Sequence, residues 1–185
     1  MNRRRLVQAA LAVAGAALLS GHSPYKQWYV YRGKHLIVVA SATDAEASRL
    51  ADAVAAQLAA ELPQSQAVPA EAQSVRDVVQ LLRTRQLQIG ILDREDAGAA
   101  YAGRAPYDRE GPLALRRMAE FGDYLLVVLE EFPDDRAFEI AGAAAGLPRS
   151  QWPASRKQTA AVAPVIPLHP GAIAFQQAHE QRTRH

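Results

Sequence analysis

Short β-branched runs alternate with helical stripes of apolar residues along most of the chain. Residues 35–40 are mostly Leu, Ile and Val, which predicts a buried strand. The stretch after it carries apolar residues at spacings of three and four, typical of one helical face: Ala47, Leu50, Val54, Leu58 and Leu62. Thr43 followed by Glu46 matches a capping box, and Pro63 marks the expected end of this helix.

The same succession of strands and helices continues towards the C-terminus. Further strands are predicted at 66–70, 87–92, 113–121, 124–129 and 165–168, and further helices at about 74–82, 95–102, 134–146 and 172–179. Ser74 is the predicted cap of the second helix, and Asp134 or Asp135 that of the fourth. Gly122 and Asp123 predict a tight turn between two strands. This alternation favours an α/β fold with a mostly parallel sheet and helices on both faces.

The N-terminal segment, residues 1–21, has a basic head followed by a short apolar stretch, which is the pattern of an export signal. Arginines at 3–5, with a polar residue before them and apolar residues after, favour the twin-arginine type. The apolar stretch is shorter than the roughly 20 residues that cross a bilayer comfortably. No small-x-small triplet closes the segment, so it is predicted either to be cleaved or to stay as an anchor.

Residues 22–34 mix tyrosine, tryptophan, lysine and arginine. This mixture suits a juxtamembrane segment at a membrane interface. The alternative is a loop or first strand that covers an edge of the following domain. Together with the signal, it predicts a periplasmic protein, either free or held at the inner membrane.

Composition excludes several kinds of chemistry. The 185-residue chain has no cysteine, which rules out disulfides, thiolate catalysis and iron–sulfur clusters. The formal net charge is +2 and no basic stripe is present, so nucleic acid is not an expected partner. We predict no cofactor and no metal. A single α/β domain is expected at 35–178, with a linker-like loop at 147–164 and a frayed tail at 179–185.

Three hydroxyl side chains lie at predicted junctions between a strand and a helix. Ser41 and Thr43 follow the first strand, and Ser74 precedes the second helix. Free N–H groups and the positive end of the helix dipole favour a carboxylate or phosphate at such junctions. Ser41, Thr43 and Ser74 are therefore candidates for a small anion site. The alternative is that Thr43 and Ser74 only cap their helices.

Asp93 and Asp96 follow the third strand, at the edge where open α/β sheets bind ligands. They are candidates for contact with a polar ligand, or they cap the next helix. His169 stands alone before a Pro-Gly pair and is either a ligand contact or a structural residue of the turn. No clustered nucleophile, base and oxyanion donor is recognisable, so no catalytic residue is predicted.

Four stretches of the sequence resemble the TAXI family of solute-binding proteins, which serve TRAP transporters. They are the strand leading into 41–43, the capped helix and strand at 74–92, the strand pair at 115–128, and the Pro-Leu-His-Pro-Gly-Ala sequence at 167–172. Members of that family have two lobes that close on a ligand. This chain has only the short stretch 147–164 where a second lobe is expected, and Ala72-Gln73-Ser74 replaces a Gly-Gly-Ser-type turn.

The resemblance implies one lobe of a periplasmic-binding-protein-like fold that binds a small anionic solute, such as a carboxylate, or assists a membrane transporter. A second copy of the chain could then supply the missing lobe. The competing hypothesis is a non-catalytic assembly or structural subunit of an exported redox complex. A cofactor-free chain with a twin-arginine signal can travel with a cofactor-bearing partner.

Overall fold

Five strands form a mixed sheet in the computed structural model, which describes residues 35–154 and 165–184. The strands are β1 Ile37–Ser41, β2 Val68–Ala72, β3 Ile89–Asp93, β4 Leu115–Phe121 and β5 Tyr124–Leu129. They lie in the order β2-β1-β3-β5-β4. β1 is parallel to both β2 and β3, whereas β5 is antiparallel to both β3 and β4. The α/β class is confirmed, but the sheet is mixed and not mostly parallel.

The predicted turn between β4 and β5 explains this correction. Gly122 takes a positive φ of 67°, and β5 begins directly after Asp123, so the two strands form a hairpin. All six residues of β5 are buried, whereas four of the seven residues of β4 are only partly buried. A strand buried on both faces gains most in the sheet interior, so β5 pairs with β3 and β4 takes the edge.

Five helices accompany the sheet in the described residues. They are α1 Ala45–Glu61, α2 Val75–Arg83, α3 Arg94–Ala102, α4 Asp134–Ala145 and α5 Pro170–Thr183, with 3₁₀ turns at Pro63–Ser65 and Arg149–Gln151. α1 and α4 pack on one face of the sheet, where Val38 and Ile91 belong to the same core. α2 and α3 pack on the opposite face with Ile37 and Val39. Helices on both faces are therefore confirmed.

Helix α1 begins one residue later than the capping-box pattern predicts. Asp44 is the N-cap, and its carboxylate accepts hydrogen bonds from the backbone N–H groups of Glu46 and Ala47. The hydroxyl of Thr43 is hydrogen-bonded to Ser41 instead. An aspartate caps as well as a serine or threonine and adds a full negative charge at the helix N-terminus, which the helix dipole favours.

Three predictions near the C-terminal part of the chain need correction. Residues 165–168 form no strand; Leu168 makes only an isolated parallel bridge to Arg117. Helix α4 begins at Asp134 after Pro133, and no side chain caps it by a hydrogen bond. Helix α5 runs from Pro170 to Thr183 and so exceeds the predicted range at both ends.

The predicted signal or anchor at 1–21 and the juxtamembrane segment at 22–34 lie outside the described residues. Among the helices of the described residues, none is both long and apolar enough to cross a membrane.

Candidate functional site

The carboxyl ends of β1 and β2 meet at one edge of the sheet and bring the predicted hydroxyl residues there. Ser41 is paired with Ala72 in the parallel register, and the N–H of Ala42 donates to the carbonyl of Ala72 at 2.8 Å. Ser41 is 2% exposed and its Oγ lies 2.8 Å from Oγ1 of Thr43. Ser74 lies just after the end of β2, which is the strand next to β1. The three residues predicted at strand–helix junctions therefore lie at the same end of the sheet.

The helix N-termini at this edge already have acceptors from the chain itself. Asp44 accepts from two N–H groups of α1, as described above. The hydroxyl of Ser74 accepts from the N–H of Asp77 at 3.2 Å, and Oδ1 of Asp93 accepts from the N–H of Asp96 at 2.7 Å. Each of these helices therefore has a side-chain acceptor for one or two of its first N–H groups. The carboxylates of Asp44, Asp77 and Asp93 lie beside them and repel a further negative charge.

Asp96 lies half-buried beside Tyr107, whose hydroxyl donates a hydrogen bond to it at 3.1 Å. Burial raises the pKa of Asp96 above its usual 3.8, and the charge of Asp93 raises this pKa further. Burial also raises the pKa of Tyr107, with the charge of Asp96 as the next cause. The hydrogen bond between Tyr107 and Asp96 holds the loop after α3 against the start of that helix. The two side chains therefore have a structural role.

The raised pKa of Asp96 predicts a pH-dependent contribution to stability. The contribution is fully present below the unfolded-state pKa near 3.8, and it falls as the pH rises through the higher folded-state pKa. Asp96→Asn keeps an acceptor for Tyr107 and cannot ionise. We therefore expect the variant to gain stability relative to the wild type between pH 3 and pH 7. Urea unfolding at pH 3 and pH 7 gives the difference in free energy of unfolding between the variant and the wild type. The same difference at both pH values would contradict the prediction.

His169 is fully buried and both of its ring nitrogens are engaged. Nε2 lies 2.9 Å from the carbonyl oxygen of Phe132, and Nδ1 accepts from the N–H of Gly171 at 3.2 Å. Asp134 lies 3.7 Å from Nδ1, but its side chain is largely exposed. The backbone N–H of His169 donates to the carbonyl oxygen of Arg117 on β4. Because β4 is the edge strand farthest from β2, His169 lies several strands away from Ser41 and Ser74.

A groove lies beside the edge strand β4, between α4, α5 and the segment around the second 3₁₀ turn. Its volume is about 590 Å³. The partly exposed rings of Trp152 and Phe175 give it aromatic walls, and small alanine side chains of α4 form part of its base. The rings of Phe121 and Trp152 meet edge to face with their centroids 5.5 Å apart. We call this space the β4 groove.

Two guanidinium groups line the β4 groove. Arg117 is ion-paired with Glu120, which also receives Arg94 at 2.9 Å, so two cations share one carboxylate. The Nε of Arg117 is buried and has no hydrogen-bond acceptor among the described residues. Burial lowers the pKa of Arg117, and the charge of Arg94 lowers it further. Because two guanidinium groups share one carboxylate, an excess of positive charge remains beside this part of the groove.

Arg149 supplies the second guanidinium and lies over the ring of Trp152, with its Cζ 5.3 Å from the ring centroid. Such a cation–π contact fixes the side chain without neutralising its charge. Within the part of the chain that the structure describes, no carboxylate pairs with Arg149. At the α5 end of the groove, by contrast, Glu180 approaches Arg184 at 3.9 Å.

The sequence analysis did not identify the β4 groove. Its lining residues come from β4, α4, the 3₁₀ turn and α5, and local patterns do not show which of these elements meet. One local signal was present: Trp152 lies in a stretch interpreted as a linker, where a large aromatic side chain is unexpected. The ring packs against Phe121, and its Nε1 donates to the carbonyl of Leu147 at 3.2 Å.

Within residues 35–154 and 165–184, no group of three or more His, Asp or Glu side chains is placed to bind a metal ion. No protein-family model matches the chain, and a search of curated proteins finds no match either.

Proposed function

We propose that the protein is an exported, non-catalytic binding protein that holds a small anionic ligand in the β4 groove. The observation that carries the proposal is a concave space of about 590 Å³ with aromatic walls and two guanidinium groups. Small-molecule sites are usually concave, largely apolar and roughly 300–1,000 Å³ in volume, with a few polar groups that orient the ligand.

The resemblance to one lobe of a TAXI receptor is part of the proposal. An α/β sheet with helices on both faces is compatible with such a lobe, and the N-terminal pattern supports export to the periplasm. A lobe without a partner lobe leaves a ligand at its open edge half exposed. The walls of the β4 groove all come from elements of the same lobe, so the contacts to a ligand there do not depend on a second lobe.

The carboxyl edge of β1, β2 and β3 is the second candidate position for an anion. Ser41, Thr43, Ser74 and Asp96 lie there, but one or two of the first N–H groups of each nearby helix are already bonded to side chains of the chain. The β4 groove has a guanidinium free of carboxylates within the described residues, and it is therefore the preferred position.

A variant that fills the groove tests this proposal. Ala145 lies at the end of α4, is exposed and lines the groove, so Ala145→Trp blocks the space without altering a charge. We expect a panel of benzoate, 4-phenylbutyrate, succinate and phosphate to include a ligand that stabilises the full-length protein. A ligand at about a hundred times its Kd adds about 2.7 kcal/mol. Thermal unfolding should show this shift in the wild type and lose it in Ala145→Trp.

Ala60→Trp is the matched control, since Ala60 is also exposed near the C-terminal end of a helix but lies outside the groove. It should keep the full ligand shift. A shift that survives in Ala145→Trp and disappears in Ser74→Ala would move the site to the carboxyl edge. The absence of any shift across the panel would overturn a small-anion binding function.

The partners of the protein are proposals of the same kind. Native mass spectrometry of the protein from its membrane fraction separates three arrangements: a transporter subunit, an exported partner protein, and a second copy of this chain. A partner at fixed stoichiometry without a bound small molecule would favour the assembly-subunit hypothesis over ligand binding.

A further inference from the structure

The charged and aromatic groups that line the β4 groove restrict the kind of ligand it can hold. This inference rests on the proposed binding function. We propose that the ligand is an amphipathic monocarboxylate: one carboxylate joined to a compact aromatic or branched apolar body. The carboxylate meets the guanidinium group of Arg149, with Arg117 as a second positive group in the lining, and the apolar body lies against Trp152 and Phe175.

The apolar part of the groove is contributed by rigid elements. Phe121 belongs to β4 and is 1% exposed, so its ring supports Trp152 from the core and offers a ligand almost no surface of its own. Phe175 is held against α4, with its ring centroid 5.7 Å from that of Phe138. Trp152 is held at its ring edge by Phe121 and by its own hydrogen bond to Leu147. Rigid aromatic walls bind an apolar body with little loss of side-chain entropy.

Two guanidinium groups supply the positive charge of the groove. Arg149 has no carboxylate partner in the described residues, and Arg117 shares Glu120 with Arg94. Each guanidinium presents N–H donors in a planar fork that matches a carboxylate. Since Arg149 lies over Trp152, a carboxylate bound to Arg149 places its attached carbon chain beside the aromatic wall.

One acidic group at the far end of the groove sets a limit on ligand charge. Glu180 lines the α5 end of the space, so a ligand with a second anionic group at that end would meet like charge. Inorganic phosphate would leave the aromatic walls uncovered. A neutral apolar ligand would displace water from the guanidinium groups without replacing the hydrogen bonds that the water makes. One negative charge and one apolar body fit both parts of the groove.

Trp152 provides a direct test, because the chain has only two tryptophans. In a full-length Trp28→Phe variant, the emission of Trp152 reports occupation of the groove. We expect 4-phenylbutyrate to change this emission saturably. The neutral analogue 4-phenyl-1-butanol, inorganic phosphate and succinate should each bind at least about tenfold more weakly, which corresponds to about 1.4 kcal/mol.

Added to the same background, Arg149→Gln should weaken 4-phenylbutyrate binding about tenfold. Arg136→Gln removes an exposed guanidinium on α4 that does not line the groove, and it should leave the affinity unchanged. Equal affinity for the acid and the alcohol would overturn the carboxylate assignment.

Tighter binding of succinate or phosphate would overturn the amphipathic assignment and leave the proposed anion-binding function standing. If no probe changes the emission of Trp152 while the thermal panel shows a ligand blocked by Ala145→Trp, this inference fails alone. If the thermal panel is also negative, both fail.

Discussion

Gly171→Ala is expected to destabilise the protein by about 3 kcal/mol, through overpacking of α5 against α4. A β-carbon on Gly171 would lie 2.2 Å from the carbonyl oxygen of Asp134 and 2.8 Å from the backbone nitrogen of Phe138. Backbone atoms cannot rotate away, so α5 must move. Thermal unfolding should show a decrease in Tm of about 10 °C for a chain of this size.

Gly142→Ala is the informative comparison because it adds the same methyl group to the same helix pair. The new β-carbon would lie 3.0 Å from the ring of Phe175, a side chain that can shift by a few tenths of an ångström. Alanine also gains up to about 1 kcal/mol over glycine inside a helix. We expect this variant to remain within about 1 kcal/mol of the wild type. Similar losses in both variants would contradict a backbone clash at Gly171.

The hydrophobic pattern was sufficient for the elements whose burial follows from local spacing. The stripe of α1 is buried as predicted, with Leu50, Val54 and Leu58 inaccessible to solvent. Gly103 ends α3 in a left-handed conformation, with φ of 62°, as a C-terminal glycine should. These features depend on neighbours three or four residues apart, so one stretch of sequence contains the information.

The pairing of the strands depends on contacts between distant parts of the chain. The sequence predicted both the turn at 122–123 and the strands on each side of it. It did not show that β5 rather than β4 would lie next to β3. That choice depends on how deeply each strand is buried beside β3. Burial of this kind is set by the packing of the whole sheet and not by the turn or by either strand alone.

The candidate sites illustrate the same distinction. Ser41, Thr43 and Ser74 were predicted at junctions between a strand and a helix, and the structure has them at the carboxyl ends of β1 and β2. Local pattern did not show that Asp44 would occupy the N-terminus of α1. The β4 groove spans residues from Arg117 to Glu180, and no motif of short spacing connects them.

His169 was a candidate ligand contact, and its surroundings instead indicate a structural residue that joins α4 to α5. Its Nδ1 caps α5 through Gly171, and its Nε2 satisfies the carbonyl of Phe132. The ring also meets Phe132 edge to face, with centroids 6.2 Å apart. Since the side chain is fully buried, solvent does not replace these partners when the ring is removed.

His169→Leu is therefore expected to cost about 2–5 kcal/mol, because it leaves one buried N–H and one buried carbonyl without partners. His169→Asn should cost less, since asparagine is a good N-cap and retains an acceptor for the N–H of Gly171. Urea unfolding should rank the free energy of unfolding as wild type highest, His169→Asn next and His169→Leu lowest. The affinity of folded His169→Asn for 4-phenylbutyrate should equal that of the wild type, because His169 does not line the β4 groove. Loss of that affinity with unchanged stability would instead make His169 a ligand contact.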